Sequence, residues 1–209
     1  MHDAKLVWVT PDAEQMIVDI ARVSTNKPKG EPGDRLLKFL VDNKHWSPFE
    51  MADMCVEVTT TRDISHQIIR HRSFFFQEFS QRYSEVQDEP VFTKARTQHP
   101  TNRQLSQDTE NQMLVGLWDY TQNFTSGVAK AMYKLALSEG IAKEVARKIL
   151  PEGMTPTRLY MKGSVRSWIH YVEGRTYKGT QLEHRLVAES VKEIFKQQFP
   201  TISKVIFNV

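Results

Sequence analysis

Residues 54–72 read MCVEVTTTRDISHQIIRHR. Two periodicities meet in this stretch. Met54, Val56 and Val58 alternate with Cys55, Glu57 and Thr59, the period of two expected of a strand with one buried face. From Thr61 to Arg72 the period lengthens, and Ile64, Ile68 and Ile69 form the apolar stripe of a helix. Phe74-Phe75-Phe76 follows as extended or irregular chain. Upstream, Lys5–Val9 reads as a short strand, and Thr10-Pro11-Asp12 as a helix start with proline near the first turn. That helix would turn Met16, Ile17, Ile20 and Val23 to one side. Thr25–Gly33 holds two prolines and two glycines and reads as a loop. Asp34–Asn43 reads as a helix with Leu36, Leu37, Leu40 and Val41 inward.

Downstream, residues 88–103 look like a long surface loop. The pattern from about Ser106 to Ser138 is helical, with Met113, Leu117, Tyr120 and Phe124 recurring every three or four positions. Gly127 is a candidate bend and Gly140 the end. Ile141–Leu150 begins another helix, which Pro151 stops. Ser164–Tyr171 and Gln181–Phe199 are two further helical stretches. Helices around a modest sheet imply an α+β class: a central mixed or antiparallel sheet flanked by helices, with residues 1–209 as a single domain.

The bulk composition narrows the function. The chain is 209 residues long, 40% hydrophobic and 25% charged, as expected of a globular protein with a core of its own. A net charge of +3 suits an anionic ligand such as a nucleotide but is too small for a nucleic-acid binder. The only cysteine is Cys55, so an internal disulfide is impossible and a reducing, cytoplasmic setting is expected. The first ten residues carry no long apolar core of a signal peptide, and no run of 18 apolar residues suggests a membrane span.

The densest polar cluster runs from Gln67 to Tyr83, QIIRHRSFFFQEFSQRY. On a continuous helix Gln67, Arg70 and His71 would share a face. Arg70, His71 and Arg72 concentrate positive charge that a phosphate or carboxylate would relieve through bidentate guanidinium pairing. Taken alone, an R-H-R tripeptide reads as a solvated basic helix end.

The wider pattern changes that reading. Arg70-His71-Arg72, seven residues, Ser80 and then Gln81-Arg82-Tyr83 resemble the signature of the flavin-dependent thymidylate synthases. Further segments resemble that family in the same order: Ala21-Arg22-Val23-Ser24; His45-Trp46-Ser47-Pro48-Phe49-Glu50; Glu144-x-Ala146-Arg147-x-x-Leu150-Pro151; and Arg166-Ser167 and Arg175, followed by Gln181-x-Glu183-x-Arg185. The chain departs from the family pattern at Met51, Gln77, Ser164 and Thr180.

The resemblance implies an activity: methylation of dUMP to dTMP, with FAD as cofactor, 5,10-methylenetetrahydrofolate as one-carbon donor and NADPH as reductant. It implies a homotetramer with active sites where subunits meet, and no metal. Residue by residue, it implies that Arg175 meets the uracil ring as the main catalytic group. Gln67, Arg70, Glu78, Ser80, Arg82 and Arg147 would complete the dUMP site. Ser24, Ser47, Glu50, Arg70, His71, Arg72, Glu78, Ser164, Arg166 and His170 would hold FAD. His45 and Tyr83 would lie near the flavin ring and folate. The residues alone also permit plainer roles. Arg147 could be an i,i+3 partner of Glu144, and His45 a helix-end histidine. Cys55 has only Glu57 as a nearby charge, which disfavours a thiolate, and it reads as structural.

Overall fold

The computed structural model describes residues 1–26 and 28–207. Its centre is a four-stranded sheet in the order β1-β2-β6-β3, formed by β1 (Asp3–Val9), β2 (Asp53–Thr61), β6 (Pro156–Ser164) and β3 (Phe74–Glu78). Every pairing is antiparallel. The two long central strands are in register from Asp53 opposite Ser164 to Thr61 opposite Pro156. A bulge between Leu6 and Trp8 interrupts the β1–β2 pairing.

The alternation in β2 sorts the two faces, as an antiparallel sheet permits. Met54, Val56 and Val58 are buried, together with Leu159 and Met161 of β6. Cys55 is buried as well. On the opposite face, Lys162 pairs with Asp53 at 2.8 Å and lies over the Phe75 ring. The helices cover the apolar face. From α6 (Val165–Arg175) come Trp168, Ile169 and Val172, and from α7 (Leu182–Gln198) come Val187, Val191 and Phe195. The Trp168 Nε1–H donates to the Met54 carbonyl at 2.9 Å, which satisfies a buried polar group and fixes α6 on the sheet.

In α1 (Ala13–Ala21) the helix begins after Asp12, which adopts a left-handed φ of 48°. Its buried residues are Ala13, Ile17 and Val18, whereas Met16 is exposed and Val23 is turned out by a 3-10 turn over Arg22–Ser24. The expected inward stripe was therefore rotated. The loop before α2 (Asp34–Asp42) is held by buried Arg22, whose Nη atoms donate to the Glu31 and Pro32 carbonyls at 2.8 and 3.0 Å. Gly33 must lack a side chain, because a Cβ there would lie 2.3 Å from Val18.

The helix expected over 61–72 is shorter: α3 spans Arg62–Ile68, and Ile69 is exposed. Arg70, His71 and Arg72 belong to the turn between α3 and β3 and share no helical face. The reason lies across the sheet. Phe74–Glu78 pairs with Gly163–Leu159, and this ladder pulls the chain out of the helix. The expected loop at 88–103 also contains β4 (Arg96–Gln98), which pairs with β5 (Ser106–Asp108). Thus α4 begins later than read, spanning Gln112–Ser138. The Asn111 side chain caps it by accepting from the Met113 and Leu114 amides. Gly127 does not interrupt it, and Gly140, at φ 82°, follows its end. The stretch 141–150 is a short α5 (Lys143–Ala146) followed by a 3-10 turn over Arg147–Ile149. Pro200–Phe207 forms α8, a helix beyond the stretch read as ending at Phe199. No helix among the described residues is long and apolar enough to cross a membrane.

Candidate functional site

The end of α6, the α3–β3 turn and the start of α7 converge on Arg175. Its Nε–H donates to His71 Nε2 at 3.0 Å, so that nitrogen is unprotonated and a neutral His71 carries its proton on Nδ1. Burial, then the Arg175 charge, pushes the His71 pKa down to about 4. The imidazole meets the rings of Tyr171 and His184 edge-on, at 5.1 and 6.2 Å between centroids. His184 is almost wholly enclosed; burial, then Arg175 and His71, takes its pKa to about 3. Burial raises the Tyr171 phenol, whose oxygen has no hydrogen-bond partner among the described residues.

A chain of side chains leads outward from there. His184 Nδ1 lies 3.4 Å from Gln67 Oε1, Gln67 Nε2 donates to Gln181 Oε1 at 2.7 Å, and Gln181 Nε2 donates to Glu183 Oε2 at 3.1 Å. Glu183 is buried and pairs with Arg96 of β4. The sequence offered little sign of Tyr171, His184 and Arg96. Tyr171 is spaced i,i+4 from Arg175 on one helix, but His184 and Arg96 approach only through tertiary packing.

A second group surrounds the start of α6. Ser164 is its N-cap, accepting from the Ser167 amide at 3.3 Å and donating to Glu50 Oε2 at 2.6 Å. The other Glu50 oxygen accepts from Arg166 at 2.9 Å. Glu50 and exposed Ser47 share a 3-10 turn, against which α1 packs. His170 stacks edge-on against Trp46 at 5.0 Å, and His45 against Phe39 at 5.6 Å. Ser24 is exposed at the end of the turn that follows α1.

Glu78 ends β3 with one oxygen, Oε1, accepting from Arg62 at 3.1 Å, Ser65 at 2.7 Å and Thr157 at 2.9 Å. Beyond it, Ser80, Arg82 and Tyr83 line a cleft of about 530 Å³ with Ala142, Lys143 and Glu144. Arg82 pairs with Glu144 at 3.3 Å, and Arg147 makes no ion pair with that carboxylate among the described residues. Arg147 lines a smaller cleft of about 220 Å³ with Arg62, Gln81, Lys148 and Glu152. Gln81 is buried there with its Nε2 lacking a partner among the described residues.

The structure therefore joins Gln67, His71 and Arg175, and separately joins Glu50, Ser164 and Arg166. No side-chain hydrogen bond among the described residues links Arg82 or Arg147 to Arg175 or His71. Arginines with a carboxylate partner are Arg62, Arg82, Arg96, Arg158, Arg166 and Arg185. Arg70, Arg72, Arg147 and Arg175 have none among the described residues, and such guanidiniums are suited to anions. Cys55 is a different case: the charge acting on it is Lys162 across the β2–β6 ladder and not Glu57 as expected, but burial outweighs that cation and pushes the thiol pKa up, away from a nucleophilic thiolate. No group of three or more His, Cys, Asp or Glu among the described residues could hold a metal ion.

The fold and site define an α+β protein with an antiparallel sheet and a cluster of arginines around its helix ends, four of which lack a carboxylate partner among the described residues. Comparisons with known proteins make the class specific. The family described as thymidylate synthase complementing protein matches residues 5–201. A probable flavin-dependent thymidylate synthase of Paramecium bursaria Chlorella virus 1 is 45% identical over 97% of this chain and 98% of its own. A flavin-dependent thymidylate synthase of a Synechocystis strain is 46% identical over 91% of this chain and 87% of its own. Among solved structures, the UMP/dUMP methylase PolB from Streptomyces cacaoi, bound with 5-Br UMP, superimposes with a TM-score of 0.86 at 25% identity. That superposition covers 98% of this chain and 93% of that one. The chain belongs to the flavin-dependent thymidylate synthase family and is an enzyme of that class.

Proposed function

We propose that this enzyme converts dUMP to dTMP, with FAD as cofactor, 5,10-methylenetetrahydrofolate as one-carbon donor and NADPH as reductant, in a single domain spanning residues 1–209. The observation that carries the reading is Arg175. Its Nε is held by a neutral His71, and its Nη atoms are left free of protein partners among the described residues. A cation fixed in this way beside a uracil ring stabilises the negative charge that develops on the pyrimidine and so raises the nucleophilicity of carbon 5. The protein then needs no cysteine nucleophile, in keeping with the raised pKa of buried Cys55.

Gln67, Arg70, Glu78, Ser80, Arg82 and Arg147 make up the rest of the proposed dUMP site. Arg147, without a carboxylate partner among the described residues, suits the phosphate dianion, and Arg82 would exchange its exposed Glu144 partner for it. The donor set also fits FAD. Arg70 and Arg72 are exposed cations without carboxylate partners among the described residues, suited to a pyrophosphate. Ser24, Ser47, Glu50, His71, Glu78, Ser164, Arg166 and His170 would complete its cradle, with His45 and Tyr83 near the flavin ring and folate. Bound FAD would supply the hydride transfer that no side chain can perform.

The proposed assembly is a homotetramer with its active sites between subunits. Support comes from α4, where Met113, Leu117, Tyr120 and Phe124 are each 60–75% exposed while Gln122 and Ser126 are buried. An apolar stripe of that extent on a protomer marks an interaction surface. The separation of Arg147 from Arg175 also fits a site completed by another subunit.

The test is anaerobic incubation of purified protein with FAD, NADPH, methylenetetrahydrofolate and dUMP, with UMP in a parallel reaction and chromatographic separation of the nucleotides. FAD-dependent dTMP is expected. No dTMP from folded, FAD-loaded protein would overturn the assignment.

A further inference from the structure

A second charged cleft, of about 460 Å³, lies between the β4–β5 hairpin and the connection from α6 to α7. Its charged lining is Arg96, Arg103, Lys178 and Arg185 against a single carboxylate, Asp108. Two of the cations are paired internally, Arg96 with Glu183 and Arg185 with Glu189 at 3.5 Å. Arg103 and Lys178 have no carboxylate partner among the described residues, so the cleft keeps an excess of positive charge. Thr180, Gln181 and Leu182, at the start of the 17-residue α7, line it too and add the positive end of the helix dipole.

The hairpin that carries Arg103 is ordered in advance. Gln98 Nε2 donates to the Asn102 and Leu105 carbonyls at 3.1 and 2.9 Å, and His99 Nδ1 accepts from the Asn102 amide at 3.1 Å. The pair of half-buried Arg96 with buried Glu183 ties this hairpin to α7. A chain of side-chain contacts connects the cleft to the proposed catalytic group. Gln181 lines it and accepts from Gln67, which lies against His184 beside His71 and Arg175.

We propose that this cleft binds the multiply anionic end of a co-substrate, a chain of phosphates or of carboxylates, whose reactive end extends past Gln181 toward Arg175. The proposal rests on the thymidylate synthase reading, which supplies two co-substrates of this chemistry. The dinucleotide reductant carries phosphates, and a polyglutamylated folate carries carboxylates. The volume suits a molecule of that size more than a single inorganic ion.

The test uses the FAD-loaded assembly and needs no turnover. Titration calorimetry would measure NADP+ against NAD+, and triglutamyl against monoglutamyl 5-formyltetrahydrofolate, in the native protein and in R103E/K178E. The variant should weaken binding of one of these ligands by about tenfold or more, because charge-assisted contacts to two cations are replaced by repulsion. A loss confined to NADP+ assigns the cleft to phosphates, and a loss confined to the triglutamyl folate assigns it to carboxylates. R103Q/K178Q should fall between the native protein and the charge-reversed form. Unchanged affinity for both ligands overturns the proposal, as does an equal loss of dUMP affinity, which would signal general damage. Intact cleft binding in a protein that makes no dTMP would count against the proposed reaction alone.

Discussion

His184 should make the fold sensitive to acid. It is 1% exposed, one ring nitrogen has no partner among the described residues, and its pKa falls to about 3 from an ordinary 6.5. Because the folded value lies below the unfolded one, the neutral ring contributes full stability above pH 6.5. That stability is lost as the pH falls from 6.5 toward 3. Moving from about pH 7.5 to about pH 5 lets the unfolded histidine take up a proton that the folded one refuses, a cost of about 2 kcal/mol. His71 acts in the same direction, but it is only half-buried and solvent screens its share. For a chain of this length the His184 effect corresponds to a fall in Tm of about 4–8 °C. Thermal unfolding of native protein and His184→Gln would be followed at both pH values and equal protomer concentration. Glutamine keeps an amide for Gln67 but cannot titrate, so its acid-induced loss should be smaller by that amount. Identical losses in the two proteins would refute the assignment of the acid sensitivity to His184.

Arg175→Ala should lower dTMP formation by at least about a hundredfold, the scale of losing a fixed electrostatic group at a developing charge. FAD loading, read by absorbance, should survive, and near-native turnover would remove Arg175 from its role. Gly163→Ala places a Cβ 2.5 Å from the Phe74 ring in β3. We expect a loss of about 1–3 kcal/mol from overpacking, measured by denaturant unfolding, with no change if β3 is free to move away. If the proposed tetramer packs through α4, Leu117→Glu with Phe124→Glu should reduce its sedimenting mass to that of a protomer while leaving far-ultraviolet circular dichroism intact, since both side chains are exposed in the single chain. An unchanged mass would remove α4 from the proposed interface.

The sequence alone determined the elements whose hydrophobic spacing is regular along the chain. The strand around Met54–Val58, the helix over Asp34–Asp42 and the long helix through Leu117 and Phe124 could be read because their hydrophobic spacing matches one backbone geometry. The family was legible for a related reason. Its signature residues lie at fixed spacings along the chain, and they can be matched without knowing what they touch. The tertiary structure decided where the periodicity signal was outweighed. Helix propensity continues past Ile68, but pairing of Phe74–Glu78 with β6 ends the helix and places Arg70-His71-Arg72 in a turn. The apolar stripe of α4 predicts burial, yet within one protomer it faces outward, because hydrophobic spacing marks the face to be covered without naming what covers it. The surroundings of Arg175 were not visible in the chain either. Its hydrogen bond to His71 spans 104 positions and the His184–Gln67 contact spans 117. Contacts of that range leave no local pattern, since they arise only when sheet and helices have closed on one core.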